Sequence, residues 1–427
     1  MKKLILTTLI LGKVMMAATV QYIETDGLKV PVIFEDDKRL PLVTMQLVFT
    51  NSGSIADTQK AGLAKISAKV MNEGTKTLGA TAFATQLESR AISIGASTGT
   101  ETFVMEMSCL KDEFETGLAQ LNSLLKEPNL TKKSLEKVKT MTLGGLSRKE
   151  NDFDYIASNE LKSLLFGKSV LGQPSSGTTE SVKSIELQDV ETFIKSHLVS
   201  SRVIVVLGGD IDIEMAKESI TKIIQTLPKG EKEDLIHYET LKNSTQSILK
   251  RDTKQAYIYF GSPYNLRADD KDIYKARVAT FILGTGGFGS RLMEEIRVKR
   301  GLAYSAYARI HTTKSSNYFS GYLQTKLDSQ EKAQKTVNKV IAKFVKEGVT
   351  QEELEQTKKF LLGSEPLRVE TMSQRLNRTF MEFYNGKELG SSIQELEKIK
   401  KLTLKDLNKF ISKHNEINNL SYAIVTN

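Results

Sequence analysis

The sequence predicts an α+β protein made of two duplicated domains, each with a mixed or antiparallel sheet packed with helices. The chain has 427 residues, more than one ordinary hydrophobic core holds, so two or three domains are expected. Segments with strand and helix patterns follow one another in a mixed order, without the short βαβ rhythm of a parallel sheet. In addition, the second half of the chain repeats part of the first half.

The repeat is clearest in two segments of helical periodicity. TKKSLEKVKTMTLGG begins at Thr131 and TQEELEQTKKFLLGS begins at Thr350, and the two align without gaps. The identical pairs are Thr131/Thr350, Leu135/Leu354, Glu136/Glu355, Lys139/Lys358, Leu143/Leu362 and Gly144/Gly363. Each threonine is placed as a helix N-cap, and Glu353 completes a capping box with Thr350. A repeat of about 200 residues is too long for a solenoid, so a duplicated domain is predicted.

The order of elements also recurs and predicts the domain limits. Alternating strands come early in each half, at VTMQLVF from Val43 and QAYIYF from Gln255. The charged, hydroxyl-rich segment GEKEDLIHYETLKNSTQS follows LPKG, which ends a helix-like segment. We therefore expect an N-terminal domain over residues 19–227, a linker over 228–250 and a C-terminal domain over 251–427.

The first residues have the plan of a secretory signal peptide. Lys2 and Lys3 precede an apolar run from Leu4 to Leu11, and small residues follow at Ala17 and Ala18. We expect a signal peptide over residues 1–18 and a periplasmic or secreted protein, with a cytoplasmic protein as the alternative. No later stretch is apolar for long enough to span a membrane.

Composition argues against several classes of function. The formal net charge is +9, but basic and acidic residues are interspersed and tryptophan is absent, so we do not expect a nucleic-acid surface. The single cysteine, Cys109, excludes an intrachain disulfide and a multi-cysteine metal site. The alternating segment around it indicates a strand, in which a buried structural thiol is expected.

Five further segments are distinctive, and they follow one another along nearly the whole chain: FTNSGSIADTQKAGLA from Phe49, NEGT from Asn72, the stretch from Arg148 to Ile185, VIVVLGGDID from Val203, and LGTGGFGSRLMEEIRVKRGLAYSAYA from Leu283. In this order they resemble the pitrilysin/insulinase family of zinc peptidases, which includes the mitochondrial processing peptidases. The resemblance implies a two-domain half of a clamshell-shaped peptidase. It also identifies GLAKISAKVMNEGT, residues 62–75, as the zinc helix.

This helix lacks the chemistry that the family requires. In active members it carries H-x-x-E-H, two zinc-binding histidines and a glutamate that activates water. The match places Lys65 and Lys69 at the histidine positions and Ala68 at the glutamate position. The third ligand, a glutamate in a later helix, aligns near Leu143. We therefore expect no zinc and no other cofactor on this chain.

Two alternatives bear on this region. Lys69 and Glu73 are four residues apart, so the helix face could be an ordinary solvated one with an ion pair. A peptidase with an unrecognised metal site is a further alternative. It is disfavoured because the four histidines, His197, His237, His311 and His414, are at least forty residues apart.

The second half keeps a pair that the family uses on substrate. The resemblance identifies Arg297 and Tyr304, spaced by seven residues in a segment ending GLAY, as donors that bind substrate and stabilise the oxyanion. A guanidinium and a phenol are suitable for this role. The alternative is that Arg297 is a helix-surface charge and Tyr304 a packed strand residue. The run GTGGFG, residues 284–289, departs from phosphate-binding loops. The resemblance places it at a bend where glycine allows close backbone approach.

Together these observations predict a subunit without zinc that contributes Arg297, Tyr304 and peptide-binding strands to a heteromeric zinc metalloendopeptidase. Its partner would be a homologous subunit bearing H-x-x-E-H, or a second copy of this chain, and its substrate a peptide. The alternative is a non-catalytic structural or binding protein with the same fold.

Overall fold

A computed structural model describes residues 18–427; the predicted signal peptide lies outside the described residues except for Ala18. The first domain contains a six-stranded sheet in the order β1-β2-β6-β3-β5-β4. Its strands are β1 (Thr19–Thr25), β2 (Leu28–Asp36), β3 (Leu42–Thr50), β4 (Ser93–Thr98), β5 (Thr102–Leu110) and β6 (Val203–Gly209). Strands β2 and β6 run parallel and the other pairs are antiparallel. The sheet is therefore mixed, as predicted.

The second domain contains a five-stranded sheet in the order β7-β11-β8-β10-β9. Its strands are β7 (Gln246–Lys250), β8 (Gln255–Pro263), β9 (Ala303–Thr312), β10 (Asn317–Lys326) and β11 (Ser421–Thr426). Strands β7 and β11 are parallel and the remaining pairs antiparallel. Without β1, the first sheet has the same strand order and directions, so the duplication predicted from the sequence is present in the topology.

Strand β7 lies inside the segment 228–250 that the sequence predicts as a linker. The segment QSILK has alternating exposed and partly buried residues, and it forms the edge of its sheet beside β11. Its counterpart in the first domain is β2. The second sheet therefore begins at Gln246, not after Lys250, and the charged residues before it hide the strand pattern.

Fifteen α-helices occur in the described part of the chain. They are α1 (Leu63–Met71), α2 (Gly79–Glu88), α3 (Phe114–Lys126), α4 (Lys132–Lys149), α5 (Phe153–Phe166), α6 (Thr179–Ser184), α7 (Leu187–His197), α8 (Ile213–Ile224), α9 (Ile273–Thr280), α10 (Arg291–Met293), α11 (Gln330–Glu347), α12 (Gln351–Gly363), α13 (Met372–Tyr384), α14 (Ser391–Lys401) and α15 (Leu404–Lys413). Two π-helical turns, Phe281–Thr285 and Glu294–Val298, flank α10. The repeated segments form α4 and α12, and both begin with a threonine capping box.

The two domains exchange a helix. Helix α5, from the first half of the chain, packs on β8 and β11 of the second sheet, whereas α13, from the second half, packs on β2 and β6 of the first sheet. Leu161 and Leu165 of α5 form a buried cluster with Ala423 of β11. Leu376 of α13 is buried against Ile204 of β6. Each sheet is therefore covered partly by the other half of the chain.

Buried polar contacts join the same interface. Arg375 on α13 donates from Nε to Oε1 of Glu35 at 2.7 Å, and its Nη2 lies 2.9 Å from Oδ2 of Asp37. Glu101 accepts hydrogen bonds from the Ser315 backbone amide at 2.7 Å and from the Tyr384 hydroxyl at 2.8 Å. These contacts fix the orientation of one domain against the other.

Candidate functional site

A buried aspartate, Asp57, accepts hydrogen bonds from the backbone at the start of helix α1. Gly62, its N-cap, has a φ of 92°, a left-handed conformation that glycine adopts without strain. The carboxylate of Asp57 accepts hydrogen bonds from the backbone amides of Gly62 at 2.9 Å and Ala64 at 2.7 Å. Burial raises the pKa of this carboxyl to about 7. The segment that resembles a zinc helix is therefore a helix whose first turn is anchored by Asp57.

The residues at the predicted zinc positions form a polar face without metal ligands. Lys65 donates from Nζ to Oγ of Ser176 at 3.1 Å, and Lys69 donates to Oγ1 of Thr142 at 2.8 Å. Ala68 is buried in the core of the first domain. A charged ammonium has no lone pair for a metal, and a methyl group cannot accept a proton. These side chains do not fit a zinc site, and no cluster of three potential ligands from His, Cys, Asp and Glu occurs within residues 18–427.

Helix α4 faces α1 at the predicted position of the third ligand. Leu143 is partly buried and packs against an apolar cluster containing Ile66 and Val70 of α1. The adjacent residue, Thr142, is buried and holds the ammonium of Lys69. Thus Thr142, one position earlier than the sequence alignment indicates, is the α4 side chain that contacts the polar face of α1.

The ion pair considered for Glu73 does not form with Lys69. Glu73 lies 2.7 Å from Nζ of Lys137 on α4, while Lys69 points to Thr142. Both Lys65 and Lys69 are partly buried, so this part of α1 is not the solvated face of the alternative interpretation. The reason is that α4 packs beside it, which the spacing within α1 alone cannot reveal.

Further basic side chains approach this face, and sequence reasoning missed them. Burial and the charge of Lys149 lower the pKa of Lys65, while burial and the charges of Lys65 and Lys149 lower the pKa of Lys69. Burial, Arg309 and Lys65 likewise lower the pKa of Lys162 on α5. These residues come from α1, α4, α5 and β9, so only the tertiary fold brings them together.

Arg297 and Tyr304 lie beside each other. Arg297 lies in the second π-helical turn and Tyr304 near the start of β9. The guanidinium carbon of Arg297 is 4.2 Å from the centre of the Tyr304 ring and 4.6 Å from that of Phe288. Tyr304 is 81% exposed, so it is not a packed core residue. Phe288, which sequence reasoning did not single out, is the second aromatic partner of Arg297.

The glycine run shapes this second site. Gly287 and Gly289 both have left-handed φ values, 61° and 100°, on either side of the exposed Phe288. A Cβ atom on Gly284 would lie 2.5 Å from the backbone nitrogen of Ala308 on β9, so the turn packs directly on the strand that carries Tyr304. Close backbone approach accounts for Gly284, and the left-handed backbone conformation accounts for Gly287 and Gly289.

A third feature lies at the free edge of β4. The side-chain amide of Asn72 donates to the carbonyl of Ala96 at 2.9 Å, and its Oδ1 accepts from the Ala96 amide at 2.7 Å. Asn72 thus makes the pair of hydrogen bonds that an added strand would make at this position. Within the described residues, no hydrogen bond, ion pair or cation–π contact joins the lysines of α1 to the Arg297–Tyr304 pair.

Comparison with known proteins agrees with this architecture. A family model described as "Insulinase (Peptidase family M16)" matches residues 32–179, and one described as "Peptidase M16 inactive domain" matches residues 184–361. A relative from Helicobacter pylori, "Non-peptidase homolog YmxG", is 44% identical over 100% of this chain and 99% of its own length. A Bacillus subtilis relative, "Uncharacterized zinc protease YmxG", is 24% identical over 78% of this chain and 80% of its own length.

Solved structures share the whole fold. A crystal structure of a peptidase M16 inactive domain from Pseudomonas fluorescens superposes with a TM-score of 0.88 at 24% identity, covering 95% of this chain and 97% of that one. A protease from Helicobacter pylori gives a TM-score of 0.83 at 16% identity, covering 96% of this chain and 100% of that one. The chain belongs to the insulinase family, peptidase family M16.

Proposed function

We propose that this chain is a catalytically silent subunit of a heteromeric zinc metalloendopeptidase for peptides, and that its partner is a homologous subunit bearing H-x-x-E-H. One observation carries the proposal. Arg297 and the exposed Tyr304 are both present in a chain whose α1 carries lysines and alanine at the positions of the zinc ligands and the general base. In this account Arg297 and Tyr304 bind the substrate beside a metal ion that the partner holds.

The comparisons support the non-catalytic part of the proposal. The Helicobacter pylori relative that matches the full chain is named a non-peptidase homologue, and the second half of the chain matches the family's inactive-domain model. The side chains on α1 agree with this, since Lys65 and Lys69 donate hydrogen bonds to Ser176 and Thr142 and have no lone pair for a metal while charged.

The contribution that we assign to this chain is electrostatic stabilisation of the transition state. When a peptide carbonyl is attacked, negative charge develops on its oxygen, and donors placed beforehand stabilise that charge. The Tyr304 hydroxyl and the Arg297 guanidinium are such donors. The ring contacts with Tyr304 and Phe288 hold the guanidinium in place, so less side-chain freedom is lost when substrate binds. The partner would supply the zinc, the attacking water and the general base.

The second candidate function is a non-catalytic binding or structural protein with the same fold. The observation in its favour is the Asn72 side chain, which occupies the edge of β4 at Ala96. An edge strand closed in this way is less available for pairing with an extended peptide. In that case Arg297 and Tyr304 would have no role in a reaction.

The two candidates are separated by purification of the chain alone and together with an H-x-x-E-H homologue from the same organism. We expect the chain alone to bind no stoichiometric zinc and to cleave no unfolded peptide. We expect the mixture to form a stable complex that contains zinc and cleaves the peptide faster than the homologue alone. Zinc binding and cleavage by the chain alone would refute the silent-subunit proposal, and a homologue unaffected by the chain would favour the binding protein.

We also propose that the protein is exported, from the pattern of residues 1–18. No helix among residues 18–427 is long and apolar enough to cross a membrane. N-terminal sequencing of the protein from a periplasmic fraction should give a start near residue 19. An intact Met1 in a protein confined to the cytoplasmic fraction would contradict export.

A further inference from the structure

Five basic side chains lie on elements that contact one another where the two domains meet, and we call them the basic cluster. Its members come from α1, α4, α5 and β9: Lys65, Lys69, Lys149, Lys162 and Arg309. Helix α4 contacts both α1 and α5, and Lys149 lies 4.2 Å from the centre of the Tyr155 ring of α5. On the other side, His311, which accepts from Arg309, stacks on Tyr318, and Tyr318 packs on Phe166 of α5. Helix α5 places Lys162 between the domains, because α5 belongs to the first half of the chain and packs on the second sheet. The cluster therefore spans both domains.

The cluster has no acidic partner in the part of the chain that the structure describes. None of its members takes part in an ion pair shorter than 4.0 Å. The contacts that they do make are to neutral groups. The partners are Ser176 Oγ for Lys65, Thr142 Oγ1 for Lys69, the Tyr155 ring for Lys149, and His311 for Arg309.

His311 is held in its neutral form beside the cluster. Arg309 donates from Nε to Nε2 of His311 at 3.0 Å, and Ser320 Oγ lies 2.9 Å from the same nitrogen. Burial, followed by the charges of Arg309 and Lys162, lowers the pKa of His311 to about 3. The histidine thus acts as an acceptor that orients Arg309 and adds no charge of its own.

Three members of the cluster have other cations as the charged groups that act on them. The charges acting on Lys65, Lys69 and Lys162 come from Lys65, Lys149 and Arg309. Like charges that are partly removed from water repel one another and lose hydration, so such a group is unfavourable unless an anion neutralises it. The lysines of α1 are also hydrogen-bonded and partly buried, unlike freely solvated surface lysines.

We propose that the basic cluster is a binding site for the carboxylates of an acidic peptide segment. Several ammonium groups and one guanidinium converge there, and each can donate charge-assisted hydrogen bonds to carboxylate oxygens. The inference deepens the proposed function, on which it rests, by naming a substrate class: peptides rich in aspartate and glutamate. In place of the metal of active relatives, the cluster would hold acidic side chains of the peptide.

The arrangement favours a peptide over a nucleic acid. A groove for single-stranded nucleic acid combines cations with a row of exposed aromatic platforms. Here Tyr155 is partly buried under Lys149, and Tyr318 is stacked on His311 at 4.1 Å, so neither ring is free for a base. The cations are also drawn from separate elements and do not form an extended stripe along one surface.

The test is binding of fluorescein-labelled hexaglutamate to the isolated chain, measured by fluorescence anisotropy at low salt. K65Q/K69Q should weaken binding by about tenfold or more, since two charge-assisted contacts are lost. K65R/K69R, which keeps both charges, should retain most of the affinity. The matched control is K339Q/K346Q, which removes two exposed α11 lysines that form no ion pair within residues 18–427; its affinity should stay within about twofold.

Thermal unfolding of each variant shows whether a loss of binding is caused by misfolding. Because K65Q/K69Q removes mutual repulsion, its melting temperature should equal or exceed that of the wild type. Equal hexaglutamate affinity in K65Q/K69Q and K339Q/K346Q would overturn the proposal. A poly-thymidine oligonucleotide that binds more tightly than hexaglutamate and loses its affinity in K65Q/K69Q would overturn it in favour of nucleic acid. The assay uses the chain alone, so it can fail while the partner complex still forms and cleaves peptide.

Discussion

The ammonium of Lys69 on α1 donates a hydrogen bond of 2.8 Å to the hydroxyl of Thr142 on α4. In active relatives, according to the resemblance, these two helices would carry zinc ligands. Here a hydrogen bond between a lysine and a threonine joins the same two helices. The packing of α1 on α4 thus rests on this bond and on an apolar cluster shared by the two helices.

Rebuilding the site tests this geometry. K65H/A68E/K69H supplies two imidazoles one helical turn apart and a general base, but it lacks a third protein ligand. Adding T142E should supply the third protein ligand and increase zinc affinity, because position 142 contacts position 69. The control is L143E in the same triple variant. Position 143 packs against an apolar cluster, so a glutamate there is not directed at the lysine positions. Equilibrium dialysis with zinc measures both, and tighter binding by the L143E variant would contradict the placement of Thr142.

Asp57 predicts a pH dependence of stability. Its folded pKa is raised by burial to about 7, against an ordinary value of 3.8, so the folded state binds the proton more tightly than the unfolded state. This contribution is complete below pH 3.8 and is lost as pH rises towards 7, with a slope of at most about 1.4 kcal/mol per pH unit. Urea unfolding of wild type and D57N between these pH values should show the wild type losing stability relative to D57N. A parallel pH dependence would contradict the assignment.

The interface between domains depends on Arg375. R375A leaves the buried carboxylate of Glu35 without its cation, whereas Asp37 keeps Arg39 as a partner, and breaking a buried pair costs about 3–5 kcal/mol. K335A removes the exposed pair with Glu331 and should cost about 0–1 kcal/mol. Chemical denaturation of both variants measures the difference. Equal losses would show that the Arg375 contacts do not hold the domains together.

Asn72 protects the free edge of β4. N72A removes both hydrogen bonds to Ala96, so the Ala96 amide should exchange with deuterium at least about tenfold faster, equivalent to roughly 1.4 kcal/mol of lost protection. N122A, a substitution of an asparagine on α3 that bonds Thr226, serves as the control. Unchanged exchange at Ala96 in N72A would mean that other groups cover this edge.

Much of the architecture could be predicted from the sequence, because it depends on local patterns. The Thr131 and Thr350 caps, the duplicated helices and the Arg297–Tyr304 spacing are each readable within a short window. Strand β7 was hidden by flanking charges. The basic cluster could not be predicted from the sequence for a different reason. Lys162 lies near the other cations only because α5 packs on the second sheet. Phe288 likewise becomes a partner of Arg297 only through the glycine turn.

The central claim is that Arg297 and Tyr304 act on substrate beside a zinc ion held by a partner. The most direct measurement is kcat and KM for peptide cleavage by the complex of R297A/Y304F with the H-x-x-E-H homologue, together with its zinc content. The control complex carries R300A/Y307F, which changes a neighbouring arginine paired with Glu295 and a second tyrosine of β9. We expect R297A/Y304F to lower kcat by about 100-fold or more, with zinc content and complex formation unchanged and the control near wild type. An R297A/Y304F complex as active as the control would contradict the account.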